Sequence, residues 1–205
     1  MIKFLFQGDS ITDAKREREN ESNFGYGYPN FVAGELLKKY PHKFEFINKG
    51  ISGNRIVDVY ARMKVDIINL KPDYMSILIG VNDVWHEFGG QNGVEDEKFE
   101  KIYSMLIEEI IAELPNIKIY ILEPFTLKGE GNEAYWEEFK IGVENKAKRA
   151  KNVAEKFGLE FVPLQDKFDK ASADGKPEYW LADGVHPTAA GHRVIEEQWR
   201  KIVLL

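Results

Sequence analysis

Short apolar runs alternate along this chain with longer stretches whose apolar residues recur at helical spacing. The short runs have the length of buried strands, and the spaced stretches bury one stripe of a helix. Strands are predicted at Ile2–Phe6, Phe44–Asn48, Tyr74–Ile79, Lys118–Leu122 and Glu160–Val162. The third is nearly all apolar, as a central strand covered on both faces must be. Helical stripes are formed by Ile56, Tyr60, Met63 and Ile67, and by Phe99, Ile102, Leu106 and Ile110. Trp136, Phe139, Val143 and Ala147 mark a long helix reaching about Phe157, and Ile195, Trp199, Ile202 and Val203 mark the last. These stripes read as packing faces. Strands alternating with helices predict an α/β fold with a parallel sheet.

Three segments resist assignment: Asp13–Gly27, which is charged and then rich in Gly and Tyr, Phe88–Glu97, and Phe125–Asn132. Each follows a strand end, where α/β proteins place ligand sites. No repeat, low-complexity tract or linker interrupts the chain, so its 205 residues are expected to form a single domain, 1–205.

Composition narrows the function classes. The net charge of −6 argues against nucleic-acid and anionic-membrane partners, which need a basic face. Cysteine is absent, so disulfides, thiolate metal sites and a cysteine nucleophile are excluded. The N-terminal apolar run is too short for a signal peptide or a membrane span, which makes a cytoplasmic protein the expectation.

The chemistry concentrates in four blocks: Gly8-Asp9-Ser10-Ile11-Thr12, Gly50-Ile51-Ser52-Gly53-Asn54, Gly80-Val81-Asn82-Asp83 and Asp183-Gly184-Val185-His186-Pro187. They contain a hydroxyl nucleophile, a glycine amide, a carboxamide donor and an Asp–His pair, which are the parts of a serine hydrolase. Ser10 follows the first strand and precedes an expected helix. It is a candidate nucleophile with its amide at a positive helix end, or simply a helix cap. The spacing of Asp183 and His186 lets the carboxylate hold the imidazole in one tautomer, with Pro187 placed to start the final helix. Of four histidines, only His186 has a carboxylate at this spacing and a following proline. His86 could line the site, and His192 is expected inside the last helix. His186 and His192 are six apart with Pro187 between, so they would not share a helix face, and no metal site is expected. Gly53 is an oxyanion donor or a plain turn residue, and Asn82 is a donor, a cap or an Asx-turn. With the flavodoxin-like strand order 2-1-3-4-5, Ser10, Gly53 and Asn82 converge on one crevice. Gly-x-Ser-x-Gly is missing, so the strand-to-helix elbow of the α/β-hydrolases is not predicted.

On these four blocks, in this order, the chain resembles the SGNH hydrolases, also called the GDSL lipase/esterase superfamily. The resemblance spans nearly the whole length. It implies a three-layer α/β/α sandwich and an esterase that needs no cofactor. It further implies Ser10 as nucleophile, His186 as base and Asp183 as its orienter. The implied oxyanion donors are the amides of Ser10 and Gly53 and the side chain of Asn82. Phe24-Gly25-Tyr26-Gly27-Tyr28, the segment from Asn48 to Asn54, Asn82-Asp83-Val84-Trp85 and Glu123-Pro124-Phe125 look like the carbohydrate-esterase branch that includes acetylxylan esterases. Glu123 departs from that branch, which tends to carry a neutral residue there. The departure bears on the acyl or sugar pocket.

The expected reaction is therefore hydrolysis of a small ester, an O-acetyl group on a sugar or short oligosaccharide, by a candidate homo-oligomer. Tyr26, Tyr28, Trp85, Tyr135 and Trp180 can stack on a sugar ring or pack in the core. Asp9, Tyr26, Trp85 and Trp180 are the candidate substrate-lining residues. A lysophospholipase or acyl-thioesterase would need a long apolar groove. A non-catalytic ligand-binding module would have no use for Ser10, His186 and Asp183 together.

Overall fold

The computed structural model describes residues 1–20 and 22–203. Five strands, β1 Ile2–Gly8, β2 Phe44–Asn48, β3 Tyr74–Leu78, β4 Lys118–Leu122 and β5 Glu160–Val162, form one parallel sheet in the order β2-β1-β3-β4-β5. This is the flavodoxin-like order expected from the sequence.

Alternation along the strands divides the core in two, because successive side chains point to opposite faces. Phe4, Phe6, Phe44, Phe46, Leu78, Tyr120 and Leu122 face one side. Leu5, Ile47, Met75, Ile77, Ile119 and Ile121 face the other. The first face is aromatic. It is covered by helix α2 (Tyr28–Lys39), through Val32 and Ala33, and by the last helix, α9 (Ala189–Ile202), through Ile195 and Trp199. Trp199 is buried edge-on against Phe4, with ring centroids 5.1 Å apart. The second face is aliphatic. Helices α3 (Ile56–Asp66) and α5 (Asp96–Glu113) and the C-terminal half of α6 (Trp136–Phe157) cover it. The result is the three-layer α/β/α sandwich, with side chains such as these each contributing about 1.5–3 kcal/mol by burial.

The five predicted strands appear with ends shifted by at most two residues, and each of the four helical stripes marks a helix. The sequence pattern did not predict four shorter or less regular helices: α2, α4 (Val81–Gly90), α7 (Gln165–Ala171) and α8 (Pro177–Trp180). Helix α2 opens with Pro29 in its first turn, where the missing N–H costs nothing. Pro187 does not start α9. It pairs with Leu181 in an isolated antiparallel bridge, and Thr188 caps the helix by accepting from the Gly191 amide. No helix among the described residues is long and apolar enough to cross a membrane.

Two glycines give a paired test of this packing. A Cβ on Gly191 would lie 2.1 Å from the Trp180 carbonyl oxygen, a backbone atom that cannot swing away. Gly34 lies exposed on α2 with nothing within 4 Å of such a Cβ. Gly191→Ala is expected to destabilise by about 1–3 kcal/mol, and Gly34→Ala to stabilise by up to about 1 kcal/mol. Denaturant midpoints measured side by side check both.

Candidate active site

The carboxyl ends of β2, β1 and β3 lie side by side, and strand order reverses between β1 and β3. That is the switch point at which open α/β sheets bind ligands. β1 ends at Gly8, whose φ of 155° and close approach to the Leu78 carbonyl leave no room for a side chain. The chain then turns into the single-turn helix α1 (Ser10–Asp13). Asp9, not Ser10, caps it: the Asp9 carboxylate accepts from the Ile11 amide at 2.9 Å. Ser10 is thereby free, and its Oγ lies 2.9 Å from Nε2 of His186.

His186 is held from its other side. Its Nδ1 lies 2.7 Å from Asp183 Oδ2, while Asp183 Oδ1 accepts from the amides of Val185 and His186 at 2.9 and 2.8 Å. A carboxylate can only accept, so Nδ1 carries the proton and Nε2 keeps its lone pair toward Ser10. The segment 125–132 braces this loop. The amide of Leu127 and the hydroxyl of Thr126 donate to the Gly184 carbonyl, and the amide of Gly131 donates to the Asp183 carbonyl. Buried Asn132 donates to Thr126 Oγ1 and the Leu127 carbonyl and accepts from the Gly129 amide. This unassigned segment is a scaffold for the loop.

Gly53 and Asn82 meet through the same corner. Ile51 to Asn54 form a turn closed by Asn54 N–H to Ile51 C=O at 3.1 Å, with Gly53 third and at φ 82°, the left-handed position such a turn requires. Asn82, in the first turn of α4, donates its carboxamide to the Asn54 carbonyl at 3.1 Å. Asp83 accepts from the Ile56 amide beyond that turn. Asn48 knots three segments from the end of β2, donating to the carbonyls of Thr12 and Phe24 and accepting from the Gly50 amide.

A cavity of about 520 Å³ opens beside Ser10 and His186. Its remaining wall includes Asp13, Lys15, Arg16, Arg18, Tyr26 and His192. Of the candidate substrate-lining residues, Tyr26 is on this wall and 56% exposed. Trp85 packs on His186, ring centroids 5.7 Å apart, and donates its indole N–H to the Tyr135 hydroxyl. Asp9 is instead buried as the cap of α1, and Trp180 packs half-buried against the aromatic core. Tyr28 is fully buried, its hydroxyl bonded to Thr12, so it packs and does not stack on a ligand. His86 lies on α4, away from this wall. Glu123 has a structural use: its carboxylate accepts from the amides of Leu164 and Gln165 at the start of α7. The sequence reading missed Lys15, Arg16, Arg18 and His192 as wall residues. The charge run inside 13–27 was the signal for the three cations, and no local signal marked His192.

The electrostatics follow from burial and pairing. Burial opposes the Asp183 charge, but the His186 ring and the two amides outweigh it and lower its pKa to about 2. Asp183 in turn raises His186 above its ordinary 6.5, against burial. Burial raises Asp9 to about 7 and Asp83 to about 8, their amide donors opposing it. His192 is driven down to about 4 by burial and then by the His186 charge, and its Nδ1 accepts from the Tyr28 amide. Among the described residues no cluster of three or more His, Asp or Glu is arranged to hold a metal ion.

The GDSL-like Lipase/Acylhydrolase family model matches residues 6–194. The chain is 36% identical over 200 residues to an acetylxylan esterase of Geobacillus stearothermophilus, covering 94% of this chain and 90% of that one. A crystal structure of an acetylxylan esterase from the same organism superposes with a TM-score of 0.87 at 33% identity, covering 100% of this chain and 95% of that one. Two further structures of that enzyme are catalytic mutants, in which a serine and an aspartate are replaced by alanine. An α/β hydrolase enzyme from the metagenome of Lake Arreo, Spain, superposes with a TM-score of 0.87 at 29% identity, covering 98% and 94%.

These shifts predict a divided titration. By NMR of the imidazoles, His186 should titrate above 6.5 and His192 near 4, with His186 falling back in Asp183→Asn. Asp183 is depressed, so its contribution to stability is complete above its ordinary 3.8 and is lost as pH falls toward 2. Thermal midpoints across that window should fall less steeply in Asp183→Asn than in the parent.

Proposed function

Because the chain belongs to the GDSL-like lipase/acylhydrolase family, we propose that it is a serine esterase removing small acyl groups, O-acetyl above all, from sugars or short oligosaccharides. The whole chain acts as one catalytic domain. Ser10 is the nucleophile, His186 the general base and Asp183 the residue that orients it. The observation that carries this reading is the unbroken relay from Asp183 Oδ2 to His186 Nδ1 at 2.7 Å and from Nε2 to Ser10 Oγ at 2.9 Å.

The reaction follows from that relay. Ser10 Oγ attacks the ester carbon while Nε2 takes its proton, and Asp183 stabilises the imidazolium that forms. The carbonyl oxygen becomes an oxyanion, stabilised by the amides of Ser10 and Gly53 and the carboxamide of Asn82. Collapse breaks the bond to the alcohol oxygen, which leaves with the proton from Nε2. Water then attacks the acyl-Ser10 ester, losing its proton to Nε2. The acid departs, and that proton returns to Ser10 Oγ.

The substrate class draws support from the acetylxylan esterases to which the chain is similar. The cavity wall supports it too. Lys15, Arg16, Arg18 and Asp13 suit a polar alcohol and offer no long apolar groove for a fatty acyl chain. Tyr26 on the wall provides aromatic surface, and Trp85 adds more behind the His186 ring.

Ser10→Ala should abolish hydrolysis of an acetylated xylooligosaccharide and covalent labelling by a fluorophosphonate, with an unchanged unfolding midpoint. Near-parental turnover would end the reading. Asn82→Ala should lower kcat by roughly two to three orders of magnitude with little change in KM, since its bond strengthens in the transition state. The rate of the parent should rise with pH through a single titration above 6.5, because His186 must be neutral to act and Asp183 raises its pKa.

A further inference from the structure

The cavity wall carries a charge pattern that ester hydrolysis does not require. The chain is acidic, with a net charge of −6, yet among the described residues three cationic side chains, Lys15, Arg16 and Arg18, share the wall with one carboxylate, Asp13. That carboxylate is turned inward. Asp13 is buried, and its oxygens accept from the amides of Arg16 and Ser52 at 3.2 and 3.0 Å, with Arg18 reaching it at 3.7 Å. Glu17 and Glu19, from the same segment, are exposed and off the wall.

The backbone is bent to achieve this. Ala14 and Lys15 are consecutive non-glycine residues in the left-handed region, at φ 41° and 57°. Strain of this kind is kept where the surroundings over-determine it and gathers at ligand clamps. Here the Ala14 carbonyl accepts from the Tyr26 amide, and Gly25 packs so closely that a Cβ would lie 2.4 Å from that oxygen. The turn directs the chain back toward β2, where Arg16 Nε donates to the Gly50 carbonyl at 2.9 Å. One edge of the guanidinium is thereby fixed on the loop that leads to Gly53. Its two terminal nitrogens make no hydrogen bond or ion pair among the described residues, and Asp13 and Asp66 attract its charge only from a distance. A half-buried, anchored guanidinium with a free fork matches the geometry of a carboxylate. Lys15 lies over the Tyr26 ring at 5.8 Å, which places a second charge next to aromatic surface.

We infer that the cavity is built for esters whose alcohol part carries a carboxylate, bound by the Arg16 fork with Lys15 and Arg18 around it, so that the substrate is an acylated acidic sugar rather than a neutral one. This rests on the esterase reading above and specifies its alcohol.

The test uses a matched pair: a mono-O-acetylated methyl xyloside and the corresponding methyl glucuronoside, whose ring differs by the carboxylate, with the uronate methyl ester as a neutral control of equal bulk. The parent enzyme should prefer the uronate in kcat/KM on the order of tenfold, mostly through KM, as a charge-assisted bidentate contact provides. The preference should shrink toward unity in molar salt, where the Debye length falls to about 3 Å. Arg16→Gln should collapse the ratio between the two substrates. If that variant is unfolded by circular dichroism, the double variant Lys15→Gln, Arg18→Gln, on exposed or partly exposed side chains, should lower the ratio. Hydrolysis of the neutral xyloside at a kcat/KM equal to or above that of the uronate overturns this inference and leaves the esterase standing. A preference for both uronate and its methyl ester, indifferent to salt, overturns it as well, since bulk and not charge is then read. Hydrolysis of no ester at all removes both readings.

Discussion

The structure depends on β1 being hydrogen-bonded on both sides, to β2 and to β3. Parallel register brings the ends of these three strands level, so the turns that follow them share one small volume. Ser10 comes from the first turn, Gly53 from the second and Asn82 from the third. Gly8 is needed because the turn after β1 passes within contact of the Leu78 carbonyl on β3. Cross-links then fix these turns to one another: Asn48 to the Thr12 and Phe24 carbonyls, Asn82 to the Asn54 carbonyl, and Asp83 to the Ile56 amide. Each is a side chain satisfying a backbone group in the turns and helix starts that follow the strands.

The loop bearing Asp183 and His186 solves a different problem. It comes from beyond β5, at the far edge of the sheet, and must face β1 near the middle. The segment 125–132 bridges the distance by pairing with its backbone, and α9 is anchored just behind it through Thr188 and the close contact of Gly191 with Trp180. The imidazole is therefore positioned by hydrogen bonds to backbone, which cannot change rotamer. Its tautomer is set by a carboxylate that two amides already hold.

Several ionisable groups crowd this volume, and burial separates their behaviour. Asp183 stays ionised because donors surround it, whereas Asp9 and Asp83, buried with few donors, are pushed toward neutrality. His186 is raised and His192 lowered, although both line the same cavity. Two identical residue types are thus tuned apart by one partner, Asp183, and by depth. The His186 charge further disfavours charge on His192, so His186 takes up its proton first and His192 only near 4.

Much of this was legible in the residues themselves. Strand period and helix period are local properties, so all five strands and the four strongly patterned helices could be read, and with them the α/β class. Ser10, Gly53, Asn82, Asp183 and His186 stood out because each block pairs a reactive group with turn-forming residues. The Asp183–His186 contact is short-range and needs only a compact loop. Other features depend on distance along the chain. Nothing local to Asp9 tells a cap from a cavity residue, nor shows that Tyr28 is buried under Phe6 while Tyr26, two positions away, reaches the cavity. Glu123 serves amides 41 and 42 residues away. The cationic wall arises because a strained turn at Ala14 and Lys15 folds a charge run back over the site, held by Gly25, Tyr26 and Gly50. The sequence determined which groups were available and the period of each element. Tertiary packing decided which of them face the cavity, because direction and burial are set by contacts between segments far apart in the chain.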